Sequence, residues 1–179
     1  MVDGPGRIDG EASRTLVEAI GEPGSRRFRF VAQIGTETIV VWMEKQQLQA
    51  LGIAIEQVLD QIISDRPALE SATPFGNFDF NTHNQFRAGR MELGYDERRD
   101  RLVIIAHDLE EPGNEPRVTC RISREQARDL SADAATVVAS GRPLCPICGN
   151  PMGPGPHVCP GMNGHLPMHF DEDELIEES

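Results

Sequence analysis

The chain has 179 residues, enough for one domain with a small appendage, and 39% of them are apolar, so it can bury a core. Its 29 acidic and 17 basic side chains give a net charge of −12, which argues against a general nucleic-acid binder. The longest apolar run, residues 39–43, is too short for a membrane span or a signal-peptide core. We therefore expect a soluble, cytoplasmic protein with no membrane partner.

The negative charge is concentrated at the end of the chain. Six acidic side chains lie within residues 171–179, which leaves 23 acidic and 17 basic ones before them. Because like charges repel one another, residues 169–179 are predicted to form a solvated acidic tail. The alternative is a tail that docks on a partner through its charge. Residues 1–12, rich in glycine and acid, are expected to form a flexible N-terminus.

The first half of the chain predicts strands followed by a helix, in a block over residues 14–64. Residues 13–20 are too few to decide between a strand and a short helix. Residues 27–34 and 38–42 alternate or are β-branched, which predicts a hairpin. Apolar side chains then recur at helical spacing up to about residue 62, before Pro67. Gly52 within this helix lowers its propensity, so close packing is expected at that point.

After a linker over residues 66–85, a second block over residues 86–140 repeats this plan. Alternating segments predict three strands, over residues 86–95, 101–107 and 117–122. Ser123 and Gln126 have the spacing of a capping box, so they are predicted to begin a second amphipathic helix.

The two blocks together are expected to form one α+β domain over residues 13–140. The economical packing is a mainly antiparallel sheet with both helices on one face. The sequence does not give the order of the strands. Cys120 lies in an alternating apolar segment and is expected to be a buried thiol.

Residues 141–168 are rich in glycine and proline, so a compact structure there needs a covalent or metal link. Cys145 and Cys148 have the Cys-x2-Cys spacing of half a zinc ribbon. The pair also resembles a redox motif, but no strand leading into a helix surrounds it. Three thiolates with one imidazole favour a closed, structural Zn²⁺ site. The predicted zinc ligands of this ribbon-like module are Cys145, Cys148, Cys159 and either His157 or His165.

Several motifs resemble the DUF3090 family of bacterial, mainly actinobacterial, proteins. They are Gly21-Glu-Pro-Gly-x-Arg, Glu44-Lys-Gln-Gln47, Phe86-Arg-x-Gly89, and Gly141-Arg-Pro-x-Cys-Pro-x-Cys-Gly-x-Pro with His157-x-Cys-Pro and Asn163-Gly. They follow one another over about residues 20–165. The family pattern has a histidine two residues before its last cysteine, which implies His157 as the fourth ligand.

The chain also departs from that family pattern. Gly161 stands where the family usually has arginine, and the acidic tail is not a family feature. The resemblance implies no particular activity.

A polar surface is a second candidate site. Its residues are Glu44, Lys45, Gln46 and Gln47 at a strand-to-helix junction, with Arg27 and Arg87. The simpler interpretation is a solvated first helical turn, in which the acid complements the helix dipole. Five arginines also surround the second predicted hairpin, but the acids interleaved with them predict a neutralised surface. These arginines are Arg87, Arg90, Arg98, Arg99 and Arg101.

Catalytic residues do not stand out in the sequence. His83, His107 and Asp108 are better interpreted as satisfied or exposed polar side chains than as a catalytic group. There is no nucleophile elbow, phosphate-binding glycine loop or metalloprotease motif.

Our leading hypothesis is a non-enzymatic, zinc-stapled module that interacts with a protein partner. The alternative is an enzyme or enzyme subunit that acts on a small anionic substrate, contacted by Arg27, Lys45 and Arg87. Nucleic-acid binding through the zinc module is disfavoured, because Arg142 is the only basic residue flanking it. The sequence identifies neither the partner nor the oligomeric state.

Overall fold

The computed structural model describes residues 6–22, 24–62, 76–111, 113, 115–140, 145–150, 152 and 156–161. The chain divides into two compact units, here called the barrel unit (Met1–Gly141) and the C-terminal unit (Arg142–Ser179). Each unit is considered by itself. The predicted acidic tail, the first five residues and the first half of the predicted linker, residues 66–75, lie outside the described residues.

The barrel unit contains two blocks, each made of three strands and a helix. The first block consists of β1 (Ile8–Ile20), β2 (Arg27–Ile34), β3 (Glu37–Met43) and α1 (Lys45–Gln61). The second consists of β4 (Gln85–Asp96), β5 (Arg101–Asp108), β6 (Val118–Ile122) and α2 (Arg124–Ser140). The α+β class and the plan of two strand–helix blocks are therefore confirmed.

The N-terminal boundary differs from the prediction. β1 begins at Ile8, and residues 8–11 pair in parallel with β6, so they belong to the sheet and not to a flexible N-terminus. The segment that was too short to assign from sequence, residues 13–20, is strand. Its alternation of apolar and polar side chains is weak, because few of its side chains are fully buried.

The six strands close into a barrel in chain order. Four of the pairings are antiparallel, whereas β3–β4 and β6–β1 are parallel. These two parallel pairs join one block to the other. Each strand thus has two neighbours, unlike the edge strands of an open sheet, although the parallel pairs β3–β4 and β6–β1 join only three and four residues.

The core lies inside the barrel and beneath the helices. β2 and β3 contribute Phe30 and Val41, and β5 and β6 contribute Ile104 and Cys120, all at most 1% exposed. Cys120 is thus the buried thiol that was expected. The two helices pack on each other, and each packs on the first strand of the opposite block, α1 on β4 and α2 on β1.

The two blocks correspond in their details. Both helices have 17 residues and begin with a capping box, Glu44–Gln47 in α1 and Ser123–Gln126 in α2. Both long strands have a bulge in the same place, after Ala12 in β1 and after Ala88 in β4.

The contacts at these bulges are also repeated. The Gln47 side chain donates to the Ala88 carbonyl at 3.1 Å, and the Gln126 side chain donates to the Ala12 carbonyl at 3.0 Å. The barrel unit is therefore two equivalent blocks related by an approximate twofold axis.

The helices cross closely at Gly52. A Cβ at this position would lie 3.3 Å from the Ala134 Cβ and 3.7 Å from the Ser131 carbonyl oxygen, which is tight for the first of these contacts. The close packing expected from this glycine is confirmed. No described helix combines the length and hydropathy that a membrane span needs.

Candidate functional site

A cluster of cysteine and histidine lies in the C-terminal unit. Its ligand atoms all lie within 4.8 Å of one another. The Sγ atoms of Cys145 and Cys159 are 3.7 Å apart, and the Cys148 Sγ is 3.3 Å from the His157 Nε2. A tetrahedral zinc ion with Zn–S bonds of about 2.3 Å places two sulfurs about 3.8 Å apart. The four side chains could therefore hold a metal ion, and their spacing fits tetrahedral ligation.

A tight turn positions the first two thiols. The Gly149 amide donates to the Cys145 carbonyl at 2.8 Å, and the Cys145 amide donates to the Asn150 carbonyl at 2.9 Å. Gly149 has φ of +71°, a left-handed conformation that glycine adopts without steric cost. The Cys-x2-Cys-Gly sequence thus folds into a turn that aims both sulfurs at one point.

Backbone amides prepare Cys145 to act as a thiolate. Hydrogen bonds from the amides of Cys148 and Ile147 lower the pKa of Cys145 to about 6. The pKa of Cys148 is raised: the Asn150 amide lowers it, but burial and the neighbouring sulfurs together outweigh that effect. Because a bound cation favours deprotonated sulfur, one ready thiolate gives a metal its first anchor.

The structure brings the four predicted ligands together, with His157 as the imidazole. Cys145 and Cys159 are both 5% exposed, so the sulfurs are largely shielded from water. The other histidine considered from the sequence, His165, lies outside the described residues.

The polar surface predicted from the sequence borders a cleft in the barrel unit. The cleft has a volume of about 420 Å³ and lies where β2 begins, β3 ends and β4 bulges, beside the first turn of α1. Four of the six predicted residues line it, namely Arg27, Glu44, Gln47 and Arg87. Lys45 and Gln46, on the same helical turn, do not line it.

Hydrogen bonds and charge contacts shape this cleft. The Gln47 side chain donates to the carbonyls of Ala88 and Gly89, each at 3.1 Å, which ties α1 to the bulge in β4. The Arg87 Nη2 lies 3.7 Å from the Glu44 Oε1. The cleft therefore has a hydrogen-bonded floor and a rim of exposed, charged side chains.

Two further lining residues were not singled out from the sequence as site residues. Arg26 donates from Nη1 to the Ser140 carbonyl at 3.0 Å, and Trp42 stacks beneath the Arg27 guanidinium at 4.5 Å. Arg26 was nevertheless within a motif quoted for the family resemblance, Gly21-Glu-Pro-Gly-x-Arg. That motif could have identified it.

The remaining sequence candidates do not form a catalytic group. His83 is exposed, and Asp108 accepts from the Glu110 amide in a turn. His107 is buried, with its Nε2 3.2 Å from the Glu92 Oε1. Most arginines of the second hairpin pair with carboxylates: Arg90 with Glu92, Arg99 with Asp96, and Arg101 with Glu11.

Comparison with known proteins adds one finding. No curated protein and no solved structure matches the chain. A family model described as a protein of unknown function, DUF3090, matches residues 10–159. That match spans both blocks of the barrel unit and ends at the last cysteine of the cluster, and it agrees with the motifs noted in the sequence. The chain belongs to the DUF3090 family.

Proposed function

We propose that this protein is a non-enzymatic protein–protein interaction module whose C-terminal unit is held together by a structural zinc ion. The cluster of three cysteines and one histidine supports zinc, because soft thiolates with an imidazole suit Zn²⁺ better than Mg²⁺ or Ca²⁺. Four protein ligands leave no open position for a reacting water, which supports a structural ion. The turn around Cys145 needs such a link, since the glycine- and proline-rich segment has little core of its own.

Two exposed apolar side chains beside the ligands support an interaction role. Ile147, between the first two cysteines, is 58% exposed, and Val158, between His157 and Cys159, is 71% exposed. Exposed apolar side chains held on a rigid metal-bound turn can enter a pocket on a partner. This is the observation that carries the interaction role.

The zinc ion is tested by elemental analysis of the purified protein. We expect about one zinc per chain, which Cys148→Ser removes because a neutral hydroxyl replaces a thiolate ligand. Cys120→Ala is the matched control, because it removes a cysteine that lies in the barrel core. Unchanged zinc content in Cys148→Ser, or equal loss in both variants, contradicts the site.

The interaction role is tested by affinity capture from the native cell with quantitative mass spectrometry. A stable partner should be recovered with the unaltered chain and lost with the double variant Ile147→Ser and Val158→Ser. Ile53→Ser is the control, because it removes an exposed apolar side chain from α1 instead. A partner lost equally in the control, or retained by the double variant, contradicts a docking role for the C-terminal unit.

The proposal includes the cellular setting. All four cysteines are free thiols, which supports a reducing compartment such as the cytoplasm. The net charge of −12 supports the view that nucleic acid is not a partner.

A second candidate is an enzyme or enzyme subunit that acts on a small anionic substrate. The cleft supports it, because that cavity brings together Arg27 and Arg87, two of the three contacts proposed for the anion. The third, Lys45, does not line the cleft, so the candidate here relies on the two arginines.

A further inference from the structure

We infer that the cleft at the end of β3 is a binding site for a small organic anion, whose carboxylate or phosphate oxygens are held by Arg26, Arg27 and Arg87. The inference rests on the second candidate function and names its ligand contacts. It is independent of the zinc ion and of the interaction role. The charges that line the cleft differ from those of the equivalent residues in the other block.

The strand register identifies equivalent residues in the two blocks. Phe28 pairs with Met43 at the start of β2, as Leu102 pairs with Ile122 at the start of β5. The residues just before them therefore correspond: Arg27 to Arg101, and Arg26 to Asp100.

The parallel pairs extend this correspondence to the long strands. Trp42 in β3 pairs with Arg87 in β4, and Arg121 in β6 pairs with Glu11 in β1. Trp42 and Arg121 each lie two residues before the residue that caps the helix of their block, so they are equivalent. Their pairing partners, Arg87 and Glu11, therefore correspond to each other. The carbonyls that Gln47 and Gln126 contact, on the next residues Ala88 and Ala12, agree with this assignment.

In the second block, ion pairs neutralise the charges of the equivalent residues. The Arg101 Nε lies 2.8 Å from the Glu11 Oε1, and the Arg124 Nη2 lies 2.9 Å from the Asp100 Oδ2. Two cations thus meet two carboxylates. In the first block arginine replaces both acids, since Arg87 stands in place of Glu11 and Arg26 in place of Asp100.

The first block is left with an excess of positive charge. Within the part of the chain that the structure describes, Glu44 is the one carboxylate that lines the cleft; it is 3.7 Å from Arg87, and its side chain is 79% exposed. Among the described residues, Arg26 and Arg27 have no carboxylate within ion-pair distance. Three guanidinium groups against one carboxylate give this cleft a charge of +2 in a chain whose net charge is −12.

One of these arginines also has an unused donor. The Arg26 Nε is buried and has no hydrogen-bond partner among the described residues. A buried donor without a partner destabilises a fold, so most such groups have an acceptor. An anion in the cleft would supply the missing negative charge, and a shift of the Arg26 side chain toward it would give this donor an acceptor.

The chemistry of the cleft indicates the class of ligand. Guanidinium groups bind carboxylates and phosphates through paired N–H donors, which fixes orientation as well as charge. Phe28, Met43 and Leu109 add apolar surface to the lining, and 420 Å³ is within the range of small-molecule sites. The ligand is therefore an organic anion with an apolar part.

The inference is tested with Trp42, which is the one tryptophan in the chain and lines the cleft. Its fluorescence is titrated with butyl phosphate and, separately, with hexanoate, each an anionic group with an apolar part, at constant ionic strength maintained by sodium chloride. We expect a saturable change with at least one of them, confirmed by calorimetry. Comparison of the two titrations shows whether the site prefers a phosphate or a carboxylate.

Variants test the assignment of the contacts. Arg87→Gln should weaken binding by about tenfold or more, because it removes a charge-assisted hydrogen bond. Arg101→Gln is the control: it removes the second-block arginine that corresponds to Arg27 and that Glu11 already neutralises, so it should leave the affinity unchanged. Glu44→Gln should strengthen binding, because it removes the competing carboxylate. Circular dichroism checks that each variant is folded.

Several outcomes would overturn the inference. These are a linear response to both anions, equal weakening in Arg87→Gln and Arg101→Gln, or weaker binding in Glu44→Gln. Saturation by a hexaglutamate peptide alone would overturn it as well, since the cleft would then recognise an acidic protein segment. Zinc content, measured on the same samples, shows whether the zinc part of the proposed function fails separately.

Discussion

Single residues of the C-terminal unit show how one turn can give two thiols different acidities. Cys145 accepts hydrogen bonds from backbone amides, and its pKa falls to about 6. The pKa of Cys148 is raised, because burial and the neighbouring sulfurs outweigh the hydrogen bond from the Asn150 amide. A metal therefore meets one thiolate that is already formed and displaces a proton from the other, so zinc binding becomes weaker as the pH falls.

This difference predicts the pH dependence of alkylation after zinc has been removed by a chelator. Only the thiolate reacts with iodoacetamide, so a lowered pKa moves the midpoint of the rate profile to lower pH. We expect a midpoint near pH 6 for Cys145 and one above the usual thiol range for Cys148, measured by peptide mass spectrometry.

Cys120 provides an internal control for that experiment. Burial raises the pKa of Cys120 to about 12, so it should stay unmodified while the barrel is folded. Coincident midpoints for Cys145 and Cys148, or the reverse order, would contradict the hydrogen-bonding pattern of the turn.

Among the elements, the helix crossing is the contact on which both blocks depend. Gly52 allows α1 to approach α2, and the residue equivalent to it in α2 is Ser131, whose carbonyl faces it. The helices meet where both have small side chains. Because each helix also packs on the opposite block, a change at this crossing acts on both blocks at once.

Gly52→Leu should therefore destabilise the barrel unit by about 1–3 kcal/mol, because the added carbons would overlap α2. Ala50→Leu is the matched control, since it enlarges an exposed side chain two residues earlier in the same helix. Urea unfolding followed by Trp42 fluorescence measures both. Equal stability of the two variants would show that the crossing tolerates a larger side chain.

The elements themselves could be predicted from local sequence, but their assembly could not. Apolar periodicity identified α1, and the Ser123–Gln126 spacing identified the capping box of α2, because both signals lie within a few residues. The parallel pair β3–β4 joins Val40 to Gln85, and no local pattern specifies such a partner. Barrel closure follows from pairings of this kind.

The two candidate sites also differ in how far apart their residues lie in the sequence. The cysteine–histidine cluster spans 15 residues, so its spacing alone predicts the three cysteine ligands. The spacing left His157 and His165 as alternatives for the fourth, and the family resemblance favoured His157. The cleft assembles residues that are more than 60 positions apart, such as Arg26 and Arg87. Its motifs were visible in the sequence, but only the fold shows that they meet.

At the scale of the whole molecule, the barrel unit and the C-terminal unit have separate sources of stability. The barrel has an apolar core that includes Phe30, Leu48 and Ile104. The four members of the cysteine–histidine cluster all lie in the C-terminal unit. We expect the metal to stabilise the second unit and to have little effect on the first.

Removal of zinc with a chelator should therefore let the C-terminal unit open often enough for a protease to cleave it, while the turn at Cys145 re-forms between openings and the barrel stays folded. Limited proteolysis with mass spectrometry locates the cleavages, and Trp42 fluorescence reports the thermal midpoint of the barrel unit. We expect that midpoint to move by less than about 2 °C, which is about half a kcal/mol for a domain of this size. A large fall would show that the metal also stabilises the barrel.

The crossed helices have a consequence for how this chain could arise. Because each helix packs on the opposite block, one block alone would leave strand edges and a helix face uncovered, and a second copy would complete it as a symmetric dimer. In such a dimer every substitution occurs twice, so its two ends carry the same charge. Joining the copies in tandem removes that constraint. One end of the barrel could then have Glu11 and Asp100, and the other end could have Arg87 and Arg26 at the equivalent positions.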